Sequence, residues 1–137
     1  MVAPRPTVIV GYDGSDPARR ALEHAADLVG RGGSLSVIHV IPTQSLSSRL
    51  ETVSESERTA QDRLLDESER MLARRGVSAE LVPAAGDPAT EILAAAESLG
   101  AGIIVIGRRR RSKRHLVRTS LSNTLVRRAG TDVLVVH

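Results

Sequence analysis

Short apolar runs rich in β-branched residues alternate along the chain with longer segments in which apolar residues recur at helical spacing. The short runs predict five strands, because each is bounded by Gly, Pro or polar positions. The longer segments predict four helices between the strands. The predicted strands cover residues 7–10, 35–41, 77–82, 103–106 and 132–136.

Polar residues at the start of the helical segments indicate where the helices begin. Ser15 or Asp16 can cap the first helix, Asp87 the third, and Thr119 or Ser120 the fourth, since these side chains accept hydrogen bonds from the first turn. Glycines predict where the same three helices end, at Gly30, Gly100 and Gly130.

The stretch between the second strand and the second helix has a different character. Residues 43–61 are rich in serine and show no apolar periodicity before Leu64. We therefore predict a mobile loop over residues 43–61 that runs into the second helix.

Strands that alternate with helices imply crossover connections, and these favour a parallel sheet. The apolar runs at 103–106 and 133–136 fit strands that are covered on both faces. The sequence therefore predicts an α/β fold in one domain over residues 1–137: a three-layer sandwich with a five-stranded parallel sheet and helices on both faces. Ligands of such sheets bind beyond the carboxyl ends of the strands. We expect the site among the loops 11–16, 40–46 and 107–119.

Composition excludes several classes of protein. The chain has no cysteine, so disulfides, thiolate catalysis and cysteine-ligated zinc are excluded. Tyr12 is the only aromatic residue, which counts against nucleic-acid modules that stack bases on aromatic side chains. No apolar run approaches the length of a membrane-spanning helix, and the residues before Thr7 lack the apolar stretch of a signal peptide. We therefore expect a cytoplasmic protein with no membrane partner.

Charge is distributed unevenly along the chain. Residues 1–100 hold 10 arginines against 15 acidic residues, whereas residues 101–137 hold 9 basic residues against one acid, Asp132. Most of the excess lies in the basic loop, residues 108–118. Such a dense cluster indicates an anionic partner or a contact between subunits, and a solvated basic loop is the alternative.

Several segments together resemble the universal stress protein family over essentially the whole chain. The resemblance implies the sheet order 3-2-1-4-5, a role in stress responses, and homodimers that are commonly sealed through the last strand, here residues 132–136. The matching segments are residues 8–15, 38–41, 86–92, 101–107 and 133–136.

The same resemblance implies a site for ATP, with Mg²⁺, because many members bind ATP in this crevice. Their phosphate motif is a glycine, two residues, a second glycine, nine residues, and a third glycine followed by Ser or Thr. Here Gly107 matches the first glycine, whereas Arg110 and Thr119 stand at the second and third, with eight residues between them. Ser120 matches the final Ser or Thr.

The remaining candidate residues flank these positions. Asp13 and Val40 match the family's nucleoside contacts, and Gly11 and Ile106 lie beside them at strand ends. At the phosphate end, Arg108 supplies positive charge and Ser122 lies in the first turn of the predicted helix. Because two glycines are replaced and the loop is shortened, we expect ATP affinity to be weak or absent.

Other interpretations of single residues are structural. Asp13 either contacts a nucleoside or closes its own turn, and His39, inside a strand, is expected to be a buried, neutral, hydrogen-bonded side chain. No histidines have metal-ligand spacing, and no base accompanies Ser120 or Ser122, so nothing beyond slow ATP hydrolysis is expected.

The sequence thus predicts a universal stress protein-like regulatory domain that senses an adenine nucleotide through a degenerate phosphate loop. The alternative is a member that does not bind ATP and whose basic loop, residues 108–118, binds an anionic macromolecule.

Rebuilding the glycine spacing should strengthen ATP binding. Arg110→Gly and Thr119→Gly, with one residue inserted between them, remove side chains from backbone positions that the phosphate loop needs, especially where φ is positive. Calorimetric titration with ATP and Mg²⁺ measures the change. Because Arg110 also contributes favourable charge, micromolar ATP binding by the parent chain that is lost on rebuilding would contradict the steric argument.

Overall fold

A computed structural model describes residues 5–43, 53–108 and 120–137, in which five strands alternate with four helices. The elements in chain order are β1 (Thr7–Gly11), α1 (Asp16–Val29), β2 (Ser34–Pro42), α2 (Glu55–Arg74), β3 (Glu80–Gly86), α3 (Pro88–Leu99), β4 (Ile103–Gly107), α4 (Leu121–Arg128) and β5 (Asp132–Val136).

All strand pairs are parallel, and the sheet order is β3-β2-β1-β4-β5. Strand β1 therefore lies at the centre, where Val8 pairs with Leu35 of β2 on one side and Ile103 of β4 on the other. Helices α1 and α2 cover one face of the sheet, and α3 and α4 cover the other. The predicted three-layer α/β sandwich and its strand order are confirmed.

The side chains on the two faces of β1 belong to two separate apolar cores. Val8 and Val10 pack toward α1 and α2, whereas Ile9 packs toward α3 and α4, and all three side chains are fully buried. Alternate side chains of a strand point to opposite faces, so a strand covered on both sides must be apolar throughout. Burying each such side chain stabilises the fold by about 1.5–3 kcal/mol.

Three helix starts follow the predicted caps. The Ser15 Oγ accepts a hydrogen bond from the Ala18 N–H at 3.3 Å, so Ser15, not Asp16, caps α1. Asp87 caps α3 in the same way, and Ser120 caps α4. Helices α1 and α3 end at Gly30 and Gly100 as predicted. Helix α4 stops at Arg128, two residues before the predicted Gly130, because Ala129 leaves the helical conformation.

Helix α2 begins earlier than predicted. Its capping box pairs the Ser54 side chain with the Glu57 N–H, and the Glu57 carboxylate with the Ser54 N–H. Loop structure predicted for residues 55–61 is therefore wrong, because a cap can start a helix whose first turns bury no apolar stripe. Residues 44–52 lie outside the described residues, so the predicted mobility there stays a prediction.

Gln61 explains why the first turns of α2 dock without apolar contacts. Its side chain is buried, and the Nε2 amide donates to the His39 carbonyl at 2.9 Å and the Ala84 carbonyl at 2.8 Å. These two bonds attach α2 to β2 and β3. Periodicity of apolar residues cannot reveal a contact made by a polar side chain.

Strand β3 lies later in the chain than the predicted residues 77–82. Gly76, at φ +73°, ends the turn after α2, and the Val77 N–H still bonds to the Leu72 carbonyl at 3.0 Å. The strand then runs through Pro83 to Gly86, beyond the predicted end at residue 82. Proline is tolerated here because β3 is an edge strand, where one side of the backbone needs no partner.

The described residues include no helix that is both long and apolar enough to cross a membrane.

Candidate functional site

A crevice opens at the carboxyl ends of β1, β2 and β4. After β1 the sheet continues through β2 on one side and β4 on the other, so the loops at this end diverge, as they do at ligand sites of α/β sheets. The space between the atoms is about 440 Å³, counted out to the open mouth. The crevice is lined by Gly11, Tyr12, Asp13, Ala18, Ile38, His39, Val40, Pro88, Ile92, Ile106, Gly107 and Leu121.

Most of the site residues predicted from sequence meet at this crevice. Its lining includes the predicted Gly11, Asp13, Val40, Ile106 and Gly107. Arg108 directly follows Gly107, and Ser120 and Ser122 flank the lining residue Leu121 at the start of α4. Arg110 and Thr119 lie outside the described residues, as does the basic loop beyond Arg108.

Asp13 closes the turn between β1 and α1. One carboxylate oxygen, Oδ1, accepts from the Ser15 N–H at 3.0 Å, which is an Asx turn. Gly14 follows at φ +81°, and a Cβ there would lie 2.7 Å from a Leu64 methyl group. The structural interpretation of Asp13 is therefore confirmed, and the turn fixes the carboxylate at the edge of the crevice.

Gly107 is required by packing alone. A Cβ at this position would lie 2.4 Å from the Pro17 carbonyl carbon and 2.5 Å from the Ala18 nitrogen. The end of β4 therefore abuts the first turn of α1, and any side chain would push the two apart. The glycine cannot by itself indicate a phosphate site.

Arg108 turns toward the end of β5. Its N–H donates to the Val136 carbonyl at 2.7 Å, and its Nη1 lies 3.4 Å from the His137 Nδ1. Arg20 of α1 donates through Nε to the His137 carbonyl at 2.6 Å. These contacts join the start of the basic loop to α1 and β5, and nothing in the local sequence pattern indicates them.

The first turn of α4 is capped by Ser120, which also contacts Ser122. The Ser120 Oγ accepts from the Asn123 N–H at 3.3 Å and lies 3.1 Å from the Ser122 Oγ. Capping thus occupies one N–H of the first turn. Because α4 points its amino end toward the crevice mouth beside Leu121, its dipole still favours an anion there.

Tyr12 is a crevice residue that sequence reasoning did not identify as functional. Its N–H donates to the Ile38 carbonyl at 2.9 Å, while its side chain is 2% exposed and its hydroxyl donates to the Glu67 Oε1 at 2.5 Å. Arg19 pairs with the same carboxylate oxygen at 2.9 Å. In the sequence, Tyr12 could have been singled out because it is the only aromatic residue and lies at the end of a strand.

Tyr12, Glu67 and Arg19 form a hydrogen-bonded cluster, the Tyr12 network, which shifts the pKa values of its members. Burial, followed by the hydrogen bond to Glu67, raises the pKa of Tyr12 from 10.0 to about 12. The hydrogen bond from Tyr12 is the main cause that holds the pKa of Glu67 below its usual value, and the charge of Arg19 adds to it. Neutral tyrosine beside an ionised glutamate is the favoured state at neutral pH.

His39 lies between the crevice and α2. Its Nδ1 is 3.1 Å from the Gln61 Nε2, which donates to the His39 and Ala84 carbonyls, and the residue is half-buried rather than buried as predicted. Across the described ranges, no three His, Asp or Glu residues come together in a way that could hold a metal ion.

Comparison with known proteins agrees with this architecture. The family model described as the universal stress protein family matches residues 4–137. The chain is 29% identical to universal stress protein YxiE of Bacillus subtilis, over 95% of this chain and 97% of that protein. The chain belongs to the universal stress protein family, whose members are named for the stress response.

Two solved structures of similar proteins carry nucleotides. A universal stress protein in complex with cAMP superposes with a TM-score of 0.77 at 26% identity, covering 96% of this chain and 97% of that one. A universal stress protein from Archaeoglobus fulgidus in complex with dAMP superposes with a TM-score of 0.76 at 21% identity, covering 98% of each chain. At 21% identity, the similarity to the dAMP complex shows a shared fold and nothing more.

The Tyr12 network predicts a loss of stability at high pH. Since folding raises the pKa of Tyr12, its contribution is complete below pH 10 and is lost as the pH rises through about 12. Urea unfolding followed by circular dichroism should show a steeper fall between these pH values for the parent chain than for Tyr12→Phe. Equal slopes would mean that the hydroxyl is not held in its neutral form.

Proposed function

We propose that this chain binds an adenine nucleotide in the crevice, as the ligand-sensing step of a regulatory domain. The proposal rests on three features that meet at one switch point of the sheet. They are the apolar walls, the fixed Asp13 carboxylate and the amino end of α4. The cAMP complex of a similar protein supports the choice of ligand class.

The nucleoside half of the ligand fits the inner part of the crevice. Val40, Pro88 and Leu121 are partly exposed in the crevice and offer apolar walls to a base, and burial of a base against them needs no aromatic partner. Tyr12 cannot stack on the base, because its ring is almost completely buried and its hydroxyl is held by Glu67. The Asp13 carboxylate is a hydrogen-bond acceptor at the edge of the crevice, and a carboxylate suits ribose hydroxyls as donors.

The phosphate half fits the mouth between Gly107 and α4. Backbone N–H groups of the first turn of α4, the Ser122 hydroxyl and the guanidinium of Arg108 are the groups that would meet it. Arg108 must leave His137 to do so, and the 3.4 Å contact between them is weak enough to exchange.

A short phosphate suits this mouth better than a triphosphate. Beyond the first phosphate, a chain of phosphates needs close approach to backbone, and Arg110 and Thr119 carry side chains where the family motif has glycine. We therefore expect AMP or cAMP to bind more tightly than ATP with Mg²⁺. Serine hydroxyls and a phosphate chain could hold Mg²⁺, but a short phosphate does not require it.

Calorimetric titration with AMP, cAMP and ATP with Mg²⁺ tests the proposal. Asp13→Asn keeps an oxygen to close the Asx turn but removes the charge, so it should weaken AMP binding about tenfold. The matched control Asp16→Asn makes the same change in charge at an exposed position outside the crevice, and should stay within about twofold.

Absence of binding by all three nucleotides at about 1 mM would overturn the proposal. Equal effects of the two variants would place the ligand elsewhere. The chain could instead bind nucleic acid but no nucleotide, with an affinity for nucleic acid that falls steeply with salt. That result would favour the alternative in which the basic loop binds an anionic macromolecule. That loop lies outside the described residues beyond Arg108, so the alternative rests on sequence.

We also propose that the chain forms a homodimer through β5. In the described sheet β5 is an edge strand, and it carries the apolar side chains Val133, Leu134 and Val135. The Val136 carbonyl bonds inward to the Arg108 N–H, so by strand alternation the N–H of Val135 points to the free edge. An exposed apolar edge is a template for pairing with a second chain.

Substitution of Val135 separates edge pairing from side-chain packing. Val135→Pro removes the outward N–H and should shift the chain to monomer at about 50 µM in sedimentation experiments. Val135→Ala, which removes two methyl groups but keeps the N–H, should remain largely dimeric. A parent chain that is monomeric at this concentration would contradict the proposal.

A further inference from the structure

A basic groove lies between α1 and α2, on the face of the sheet away from α3 and α4. Its lining consists of Arg19 from α1 and of Glu67, Arg70, Met71 and Arg74 from α2. The space between the atoms is about 640 Å³, counted out to the open mouth. None of these residues lines the crevice, so the α1–α2 groove is a separate feature of the molecule.

Positive charge in the α1–α2 groove is only partly neutralised. Arg19 pairs with Glu67 at 2.9 Å, but within the described parts of the chain neither Arg70 nor Arg74 forms an ion pair. Three guanidinium groups against one carboxylate leave a net charge of +2 on the lining. The adjacent Arg75, by contrast, is paired with Asp27 at 2.9 Å.

The arrangement of the two unpaired arginines favours an anion between them. Arg70 and Arg74 are four residues apart in α2, so their side chains emerge from the same face of the helix one turn apart. Like charges at this spacing repel and destabilise a helix unless a counter-charge joins them. Arg70 bonds only weakly to its own helix, through Nε and the Asp66 carbonyl at 3.4 Å.

We propose that the α1–α2 groove is a second anion site that takes a phosphate group. A phosphate carries a charge of about −1.5 to −2 at neutral pH, which matches the excess on the lining, and guanidinium groups bind its oxygens in pairs. A single carboxylate would leave about half of the excess charge unbalanced. The thioether side chain of Met71 forms the apolar part of the lining.

Occupancy of the α1–α2 groove affects Tyr12. A phosphate bound by Arg70 and Arg74 competes with Glu67 for Arg19, and Glu67 also accepts the Tyr12 hydroxyl. Tyr12 is the only aromatic residue of the chain, so its emission reports this event without background. The backbone of Tyr12 lies between Gly11 and Asp13 in the crevice, which gives the two sites a physical connection.

Titration with inorganic phosphate, at constant ionic strength set with chloride, tests the proposal through Tyr12 fluorescence. The parent chain should give a saturable change, and Arg70→Gln/Arg74→Gln should weaken it at least about tenfold. The control Arg58→Gln/Arg63→Gln removes two exposed arginines of the same helix outside the groove, and should stay within about twofold.

Two further probes identify the source of the phosphate group. Glycerol 3-phosphate that binds as tightly as phosphate would support a site for phosphomonoesters, whereas binding of the inorganic ion alone would support a site for free phosphate. Absence of a saturable change up to about 50 mM phosphate would overturn the proposal. So would equal effects of the two double variants. Binding of a hexaglutamate peptide, but not of phosphate, would indicate an acidic protein surface instead.

Discussion

Burial of β1 on both faces determines how the sheet and the helices are arranged. Val8, Ile9 and Val10 have no exposed surface, so neighbouring strands and helices must cover β1 on every side. The neighbouring strands are β2 on one side and β4 on the other. The loops at the carboxyl end of β1 therefore diverge, and the crevice is a direct consequence of how the core is filled.

Several crevice residues serve the fold and the candidate site at once. Asp13 closes a turn, Gly107 lets β4 meet α1, and Ser120 caps α4. Each role is sufficient to explain the residue type without a ligand, so none of them alone is evidence of binding. The evidence for a site is that these residues lie together. The packing that requires them also brings a carboxylate, a helix terminus and apolar walls to one opening.

The sequence was a reliable guide wherever apolar residues or caps carry the information. Strand order, helix faces and the meeting of Asp13, Val40 and Gly107 at one opening follow from a resemblance and from periodicity. It failed where polar contacts decide the structure: Gln61 docks the start of α2 by hydrogen bonds, and Pro83 is accepted because β3 lies at an edge. The Tyr12 network joins residues 55 positions apart, and local pattern carries no trace of such a contact.

Amide chemical shifts measured during a titration with AMP report whether the nucleotide binds in the crevice. Binding in the crevice predicts saturable shifts concentrated on the N–H groups of Asp13, Val40, Gly107 and the first turn of α4, with one affinity at all of them. Saturable shifts confined to α1 and the second half of α2, with the crevice amides unmoved, would contradict it, because the nucleotide would then be held by its phosphate outside the crevice.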